Sequence, residues 1–130
     1  VVAVGVRGVS QEEVDVSNAH AGSTLIWADE MMDDDAWMDK AIDALGPKVY
    51  LTFDVDYFDP SFVPSTGTPE PGGGDWYRTL RFLKRVFAER EVVAADVVEL
   101  APTPGLNAPD FLVAKLVYKL VSYRYQGRLV

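Results

Sequence analysis

The sequence contains no cysteine, which excludes disulfides and thiolate metal sites. No apolar run approaches the ~20 residues that a membrane-spanning helix needs. No basic segment precedes an apolar one, so the pattern of a signal peptide is missing and the cytoplasm is the expected compartment. Positive charge is scarce: 12 Lys and Arg stand against 20 Asp and Glu, a net charge of −8. Such a surface repels nucleic acid and anionic membranes, and neither is an expected partner. It tolerates cationic small molecules, although plain solubility would explain the same balance. Histidine is almost absent, with His20 alone. The chain also has no initiator Met, and Val1-Val2-Ala3-Val4-Gly5-Val6 reads as a core strand, so a truncated chain is expected.

What is present suits a folded domain. Of 130 residues, 48% are hydrophobic and 12% aromatic, enough for a real core. There are no repeats, low-complexity tracts or internal linkers, and residues 1–130 read as one domain or most of one. Val1 to Arg7 is a continuous apolar run, the mark of a strand buried on both faces. Ser10 and Glu13 form a helix-start pattern, and Thr24 to Trp27 is a short strand. Asp33-Asp34-Asp35 supplies a cap and first-turn acids for a helix carrying Trp37, Met38, Ala41, Ile42 and Leu45, which Gly46-Pro47 stops. Val49 to Phe53 is a strand running into Asp54-Val55-Asp56. A Pro- and Gly-rich loop follows to Gly74, and Asp75 caps a helix with Trp76, Leu80, Leu83 and Phe87 on one stripe. Val92 to Leu100 is a strand, and Asp110 caps a last helix with Leu112, Leu116 and Leu120 inward. Strands alternating with helices predict parallel βαβ units in a three-layer α/β/α sandwich.

In open parallel sheets, sites gather at the carboxyl ends of strands. Two such ends carry acids here. Asp54 and Asp56 read as alternate residues at the end of one strand, so their carboxylates are expected to share a face. Like charges held that close repel, and a bound cation would relieve them. Carboxylate oxygens suit magnesium, calcium or manganese. The spacing alone fits equally well a solvated strand end whose acids cap loop amides. Glu99, at the end of the later strand, is the second acidic terminus.

The segment from Phe53 to Gly73 is more specific. It contains Asp54-Val55-Asp56-Tyr57-Phe58-Asp59-Pro60, then Thr66-Gly67-Thr68-Pro69, then Gly72-Gly73. This run strongly resembles the signature of the ureohydrolases, the arginase/agmatinase family: Asp-x-Asp-x-x-Asp-Pro, Thr-Gly-Thr-Pro and a Gly-Gly pair. Asp96 to Pro102 is similar to the family's later strand, which ends in a Glu before a Pro-containing loop. The opening strand with Gly5-Val6-Arg7, the following Glu12-Glu13, and the helix from Phe111 to Leu120 continue the likeness over nearly the whole chain. It looks closer to agmatinases than to arginases and suggests the C-terminal portion of such a protein.

The resemblance implies an arginase-like α/β/α fold and two manganese ions. Such ions make hydroxide from a bridging water near neutral pH. The hydroxide would attack a guanidinium carbon to release urea and an amine, most simply from agmatine, with arginine or another guanidino acid as the alternative. Asp54 and Asp56 match the aspartates that bind the metals. Glu99 matches the glutamate that pairs with the guanidinium through parallel N–H bonds, and Thr68 matches a threonine beside it. Asp59 has either a supporting role in the loop or a simple Asx-turn before Pro60. The family's oligomers, trimeric or hexameric, imply self-association.

The sequence departs from the pattern in one respect. The family's other ligands lie in a His-containing segment after Gly-Gly-Asp and in an Asp-Ala-His-x-Asp block, and neither is present. His20, in Asn18-Ala19-His20-Ala21-Gly22, lacks the flanking aspartates and reads as a loop or core-edge histidine. Manganese-like ions take about six ligands, so this chain alone is expected to be inactive. A non-catalytic pseudoenzyme or assembly subunit is the rival of another class. A haloacid-dehalogenase-type phosphotransferase fits poorly, because Phe58 stands where that motif takes Thr or Val. An EF-hand fails because Asp59 stands where its loop needs Gly.

Overall fold

The computed structural model describes residues 1–126. Strand β1 (Val2–Val6) pairs in parallel with β2 (Thr24–Trp27), and β3 (Lys48–Asp54) pairs in parallel with β4 (Glu91–Val98). Among the described residues these are two separate two-stranded sheets. Both pairs are parallel, as the alternation of elements requires. Helix α1 (Gln11–Ala19) links β1 to β2. Its start is set locally: the Ser10 hydroxyl accepts from the Glu13 amide, and the Glu13 carboxylate accepts from the Ser10 amide at 2.7 Å.

Several sequence expectations change in detail. β1 is half-buried rather than enclosed on both faces, with Gly5 its only buried residue. Gly5 sits at φ +81, where the register of β1 against β2 shifts. A bulge with positive φ favours glycine. A short helix, α2 (Glu30–Asp33), precedes α3 (Ala36–Ala44). Asp34, not Asp35, accepts the Ala36 amide, at 2.8 Å. Asp35 instead takes Arg78 at 2.9 Å and Arg81 at 3.2 Å, which ties α3 to α4 (Trp76–Glu89). The last helix, α5 (Asn107–Tyr125), begins before Asp110, which lies within its first turn. Pro109 does not stop it, because a first-turn residue has no helical partner for the N–H that proline lacks.

β3 alternates cleanly. Val49 and Phe53 are buried and Leu51 is partly so, while Tyr50 and Thr52 are exposed. The inward set meets α3 and α4 through Ile42 and Val86 at one end of the sheet. At the other end it meets α4 and α5 through Leu83, Val113, Leu116 and Leu120. Phe58 and Val63, from the loop after β3, are buried in that second cluster. Burying a side chain the size of Phe58 is worth about 1.5–3 kcal/mol. The loop that leaves β3 is therefore anchored in the core.

Candidate metal and substrate site

Three strand ends meet on one side of the molecule. In the β3–β4 register Asp54 stands opposite Val98, so Glu99 leaves β4 beside the point where Asp54 leaves β3. The Glu99 carboxylate is close enough to help raise the pKa of Asp54. Arg7, just past β1, reaches the same place: its Nη2 donates to the Asp56 carbonyl at 2.5 Å.

Asp54 and Asp56 are not alternate residues of a strand. β3 ends at Asp54, and Val55–Tyr57 form a single 3-10 turn. The cause is local, because the Asp54 carboxylate captures the Asp56 amide at 3.0 Å and caps the turn. The two carboxylates are still neighbours. Partial burial, then the Asp56 charge, and more weakly Glu99, push the Asp54 carboxyl above its ordinary range, against the lowering effect of the Asp56 amide. The Asp56 carboxylate accepts the Thr68 hydroxyl at 2.7 Å. Thr68 is thus bonded to one of the acids, a link that the motif spacing did not reveal.

The loop between them is fixed by Asp59. Its carboxylate accepts the Ser61 amide at 2.9 Å, an Asx-turn, and the Gly72 amide at 2.9 Å, a closure of the loop. Both roles expected for Asp59 are present together. The Ser61 hydroxyl and amide, and then the Gly72 amide, hold its carboxyl down at about 2. The glycines serve close packing. A Cβ on Gly73 would lie 2.5 Å from the backbone of Tyr57 to Asp59, and one on Gly74 would lie 2.4 Å from the Tyr57 ring. A Cβ on Gly5 would lie 2.6 Å from the same ring, so Tyr57 wedges between β1 and the loop. Removal from water raises the Tyr57 hydroxyl to about 12.

Glu99 lies just beyond the last residue of β4 and is exposed, with φ 66. It is the one non-glycine residue at positive φ among the described residues. That conformation costs an L-residue roughly 1–2 kcal/mol, and such outliers gather at functional sites. Neither Arg7 nor this strain followed from local spacing. Of the two positions expected for His20, the structure shows the loop one: it is the exposed C-cap of α1, its amide bonded to the Ser17 carbonyl at 3.1 Å, and not a core-edge residue.

The donor chemistry fits part of a shell for a hard divalent cation. Two adjacent carboxylates, one already pushed toward protonation by its surroundings, would be relieved by such an ion. Among the described residues, however, no group of three or more His, Cys, Asp or Glu side chains converges as a metal site. The donors present would fill part of a shell and not a whole one.

Known proteins carry the same arrangement of elements. The chain is 43% identical over 121 residues to an N(1)-aminopropylagmatine ureohydrolase from Synechocystis, which covers 92% of this chain and 39% of that protein. It is 31% identical over 118 residues to an agmatinase from Pyrococcus horikoshii, with 91% and 41% covered. Among solved structures it matches the proclavaminate amidino hydrolase of Streptomyces clavuligerus with a TM-score of 0.83 and 29% identity, over 95% of this chain and 42% of that one. The chain spans about two fifths of the length of these relatives. The expected arginase-like α/β fold is therefore the observed one. A model described as "Arginase family" matches residues 1–122, the stretch that holds both strand pairs and all three acidic positions, and the chain belongs to the arginase family.

Proposed function

We propose that the protein carrying this chain hydrolyses a guanidino compound to urea and an amine, with manganese as its cofactor. The observation that carries this reading is that Asp54, Asp56 and Glu99 all leave the same end of one parallel strand pair. Asp54 and Asp56 would hold metal, together with ligands from outside this chain. Bound manganese supplies a water made nucleophilic near neutral pH.

The chain's own residues do the rest. Asp54 keeps the Asp56 amide in the turn, and so sets the spacing of the two carboxylates. Glu99 presents a carboxylate that accepts two N–H bonds from a guanidinium, fixing the plane of the substrate. Thr68 orients Asp56 through its hydroxyl and lines the same corner. Net, one water is consumed: the guanidinium carbon gains its oxygen, the bond from carbon to the substituted nitrogen breaks, and that nitrogen takes up both water hydrogens and leaves as the protonated amine.

For the substrate, we propose a guanidino polyamine, either agmatine or its N(1)-aminopropyl derivative. The names of the relatives at 43% and 31% identity support this class, and the net charge of −8 suits a polycation. A cytoplasmic homo-oligomer, trimeric or hexameric, belongs to the same proposal. The test is urea release by the complete gene product with manganese, comparing kcat/KM for agmatine, N(1)-aminopropylagmatine and arginine. Preference for either polyamine supports the reading. Preference for arginine moves it to an arginase, and no urea from any of the three under manganese would leave the pseudoenzyme reading.

A further inference from the structure

Arg7 performs a task that the reading above does not use. It is half-buried at the end of β1, and among the described residues its guanidinium bonds only to backbone oxygens. Nη2 donates to the Asp56 carbonyl at 2.5 Å and the Glu70 carbonyl at 2.9 Å, Nε to the Glu70 carbonyl at 3.2 Å, and Nη1 to the Gly5 carbonyl at 3.1 Å. One planar cation thus joins three chain segments. Two of them hold the ends of the Thr68–Asp56 hydrogen bond: Asp56 itself, and the strand of loop that runs from Thr68 to Glu70. The Glu70 amide also turns back onto the Thr68 carbonyl at 2.8 Å, so fixing Glu70 fixes Thr68.

We propose that Arg7 is a positioning residue for the metal and substrate site, acting through the carbonyls of Asp56 and Glu70 to hold the Asp56 carboxylate and the Thr68 hydroxyl in register. The proposal rests on the reading of Asp56 as a metal ligand. A lysine cannot replace it, because a single ammonium lacks the planar fork that spans two carbonyls and a third acceptor. The positive charge alone is not the function. Arg7 acts through backbone carbonyls alone, so its effect passes through the loop.

The experiment uses the complete gene product. Manganese affinity is measured by equilibrium dialysis without substrate, alongside the manganese concentration that half-activates urea release and the melting temperature. Arg7→Lys is expected to weaken manganese binding by roughly 10- to 100-fold, the usual cost of losing a group that orients a ligand. Thr68→Val, which removes the last link, should weaken it similarly, and the double variant should be no worse than the poorer single one, since residues acting in one chain are non-additive. Unchanged manganese affinity in Arg7→Lys, whatever its melting temperature, overturns the proposal and leaves Arg7 a stabilising residue only. Additive losses overturn it as well. Should Arg7→Lys not fold, Thr68→Val decides: normal manganese affinity there refutes the chain of contacts, and weakened affinity supports it. Failure of the underlying reading looks different, because the unaltered protein would then bind no manganese and release no urea.

Discussion

The loop after β3 and the loop after β4 leave the same end of one parallel strand pair, yet they are held in different ways. The first is fastened many times over. Asp54 caps its opening turn, Asp59 closes it onto Gly72, Arg7 grips it at Asp56 and Glu70, and the Gly74 amide donates to the Tyr57 carbonyl at 2.8 Å. Phe58 and Val63 anchor it in the core. The second is aimed by one residue in a left-handed conformation, Glu99, and fastened more lightly, by the Ala101 amide on the Ser65 carbonyl at 2.9 Å and the Ser65–Thr103 hydroxyl pair at 3.2 Å. The difference matches the proposed duties. Metal ligands must keep their spacing within tenths of an ångström, which takes redundant support. A carboxylate that meets a substrate must project into open space, and one strained backbone residue achieves that.

The comparison breaks most visibly if the acids of the first loop are dispensable. Replacing Asp54 or Asp56 by Ala in the complete gene product should abolish manganese-dependent urea release. The loss should exceed the roughly 100-fold that removing an orienting neighbour costs. Near-normal turnover at limiting manganese in either variant would rule out the ligand role.

The second loop predicts a separable defect. Glu99→Gln keeps the shape of the side chain but removes the charge that pairs with a guanidinium. Manganese content by elemental analysis should stay at the level of the unaltered protein, while kcat/KM falls by about 100-fold. If metal content fell together with activity, Glu99 would belong to the metal shell, and the contrast between the two loops would disappear.

How much of this was legible beforehand depends on the range of the interactions. The Ser10–Glu13 capping box, the strand from Thr24 to Trp27 and the Asp75 cap of α4 were readable, because each is settled within a few residues. The spacing predicts strand alternation through Asp54-Val55-Asp56, but the strand stops at Asp54 and Val55–Tyr57 form a 3-10 turn. The competing signal was also local: an aspartate side chain can outbid the sheet for the amide two residues on. Asp110 is the expected cap of the last helix but lies within its first turn, because proline at position 109 is tolerated there and the helix starts earlier, at Asn107. Arg7 could not be read at all from spacing. Two of its three acceptors lie 49 and 63 residues away, and all are backbone carbonyls, which any residue type supplies. The acids proposed for the site were visible through the family motif, whereas the Arg7 contacts proposed to align them exist only after folding.

The redundancy of the first loop also predicts where it tolerates no added atom. Gly74→Ala places a methyl group 2.4 Å from the Tyr57 ring, with β1 on the ring's other side at Gly5. Overpacking of this kind costs about 1–3 kcal/mol, read as a lower urea midpoint with an unchanged slope. Gly67→Ala, in the same loop with open space around its Cβ position, serves as the control. Equal stability of the two variants would mean that Tyr57 is not wedged.

The smallest effect is a pH dependence at Asp59. Its carboxyl is held at about 2 by the Ser61 hydroxyl and amide and by the Gly72 amide, against about 3.9 in an unfolded chain. A folded-state pKa below the unfolded value means that the unfolded chain takes up a proton first as pH falls. The contribution to stability is therefore complete above about pH 4 and is lost as pH falls through about 2. Asp59→Asn keeps a single carbonyl acceptor, so it cannot hold the Ser61 and Gly72 amides on two separate oxygens. The variant should be less stable than the parent at neutral pH. The side chain is exposed enough for solvent screening to keep the difference below about 1 kcal/mol. Denaturant midpoints of parent and variant should then converge between about pH 4 and pH 2, because the parent's advantage titrates and the variant's amide does not. A gap that stays constant across that window would show that the closure of the loop does not depend on the Asp59 charge. It would move the burden of holding Thr68 and Asp56 onto Arg7.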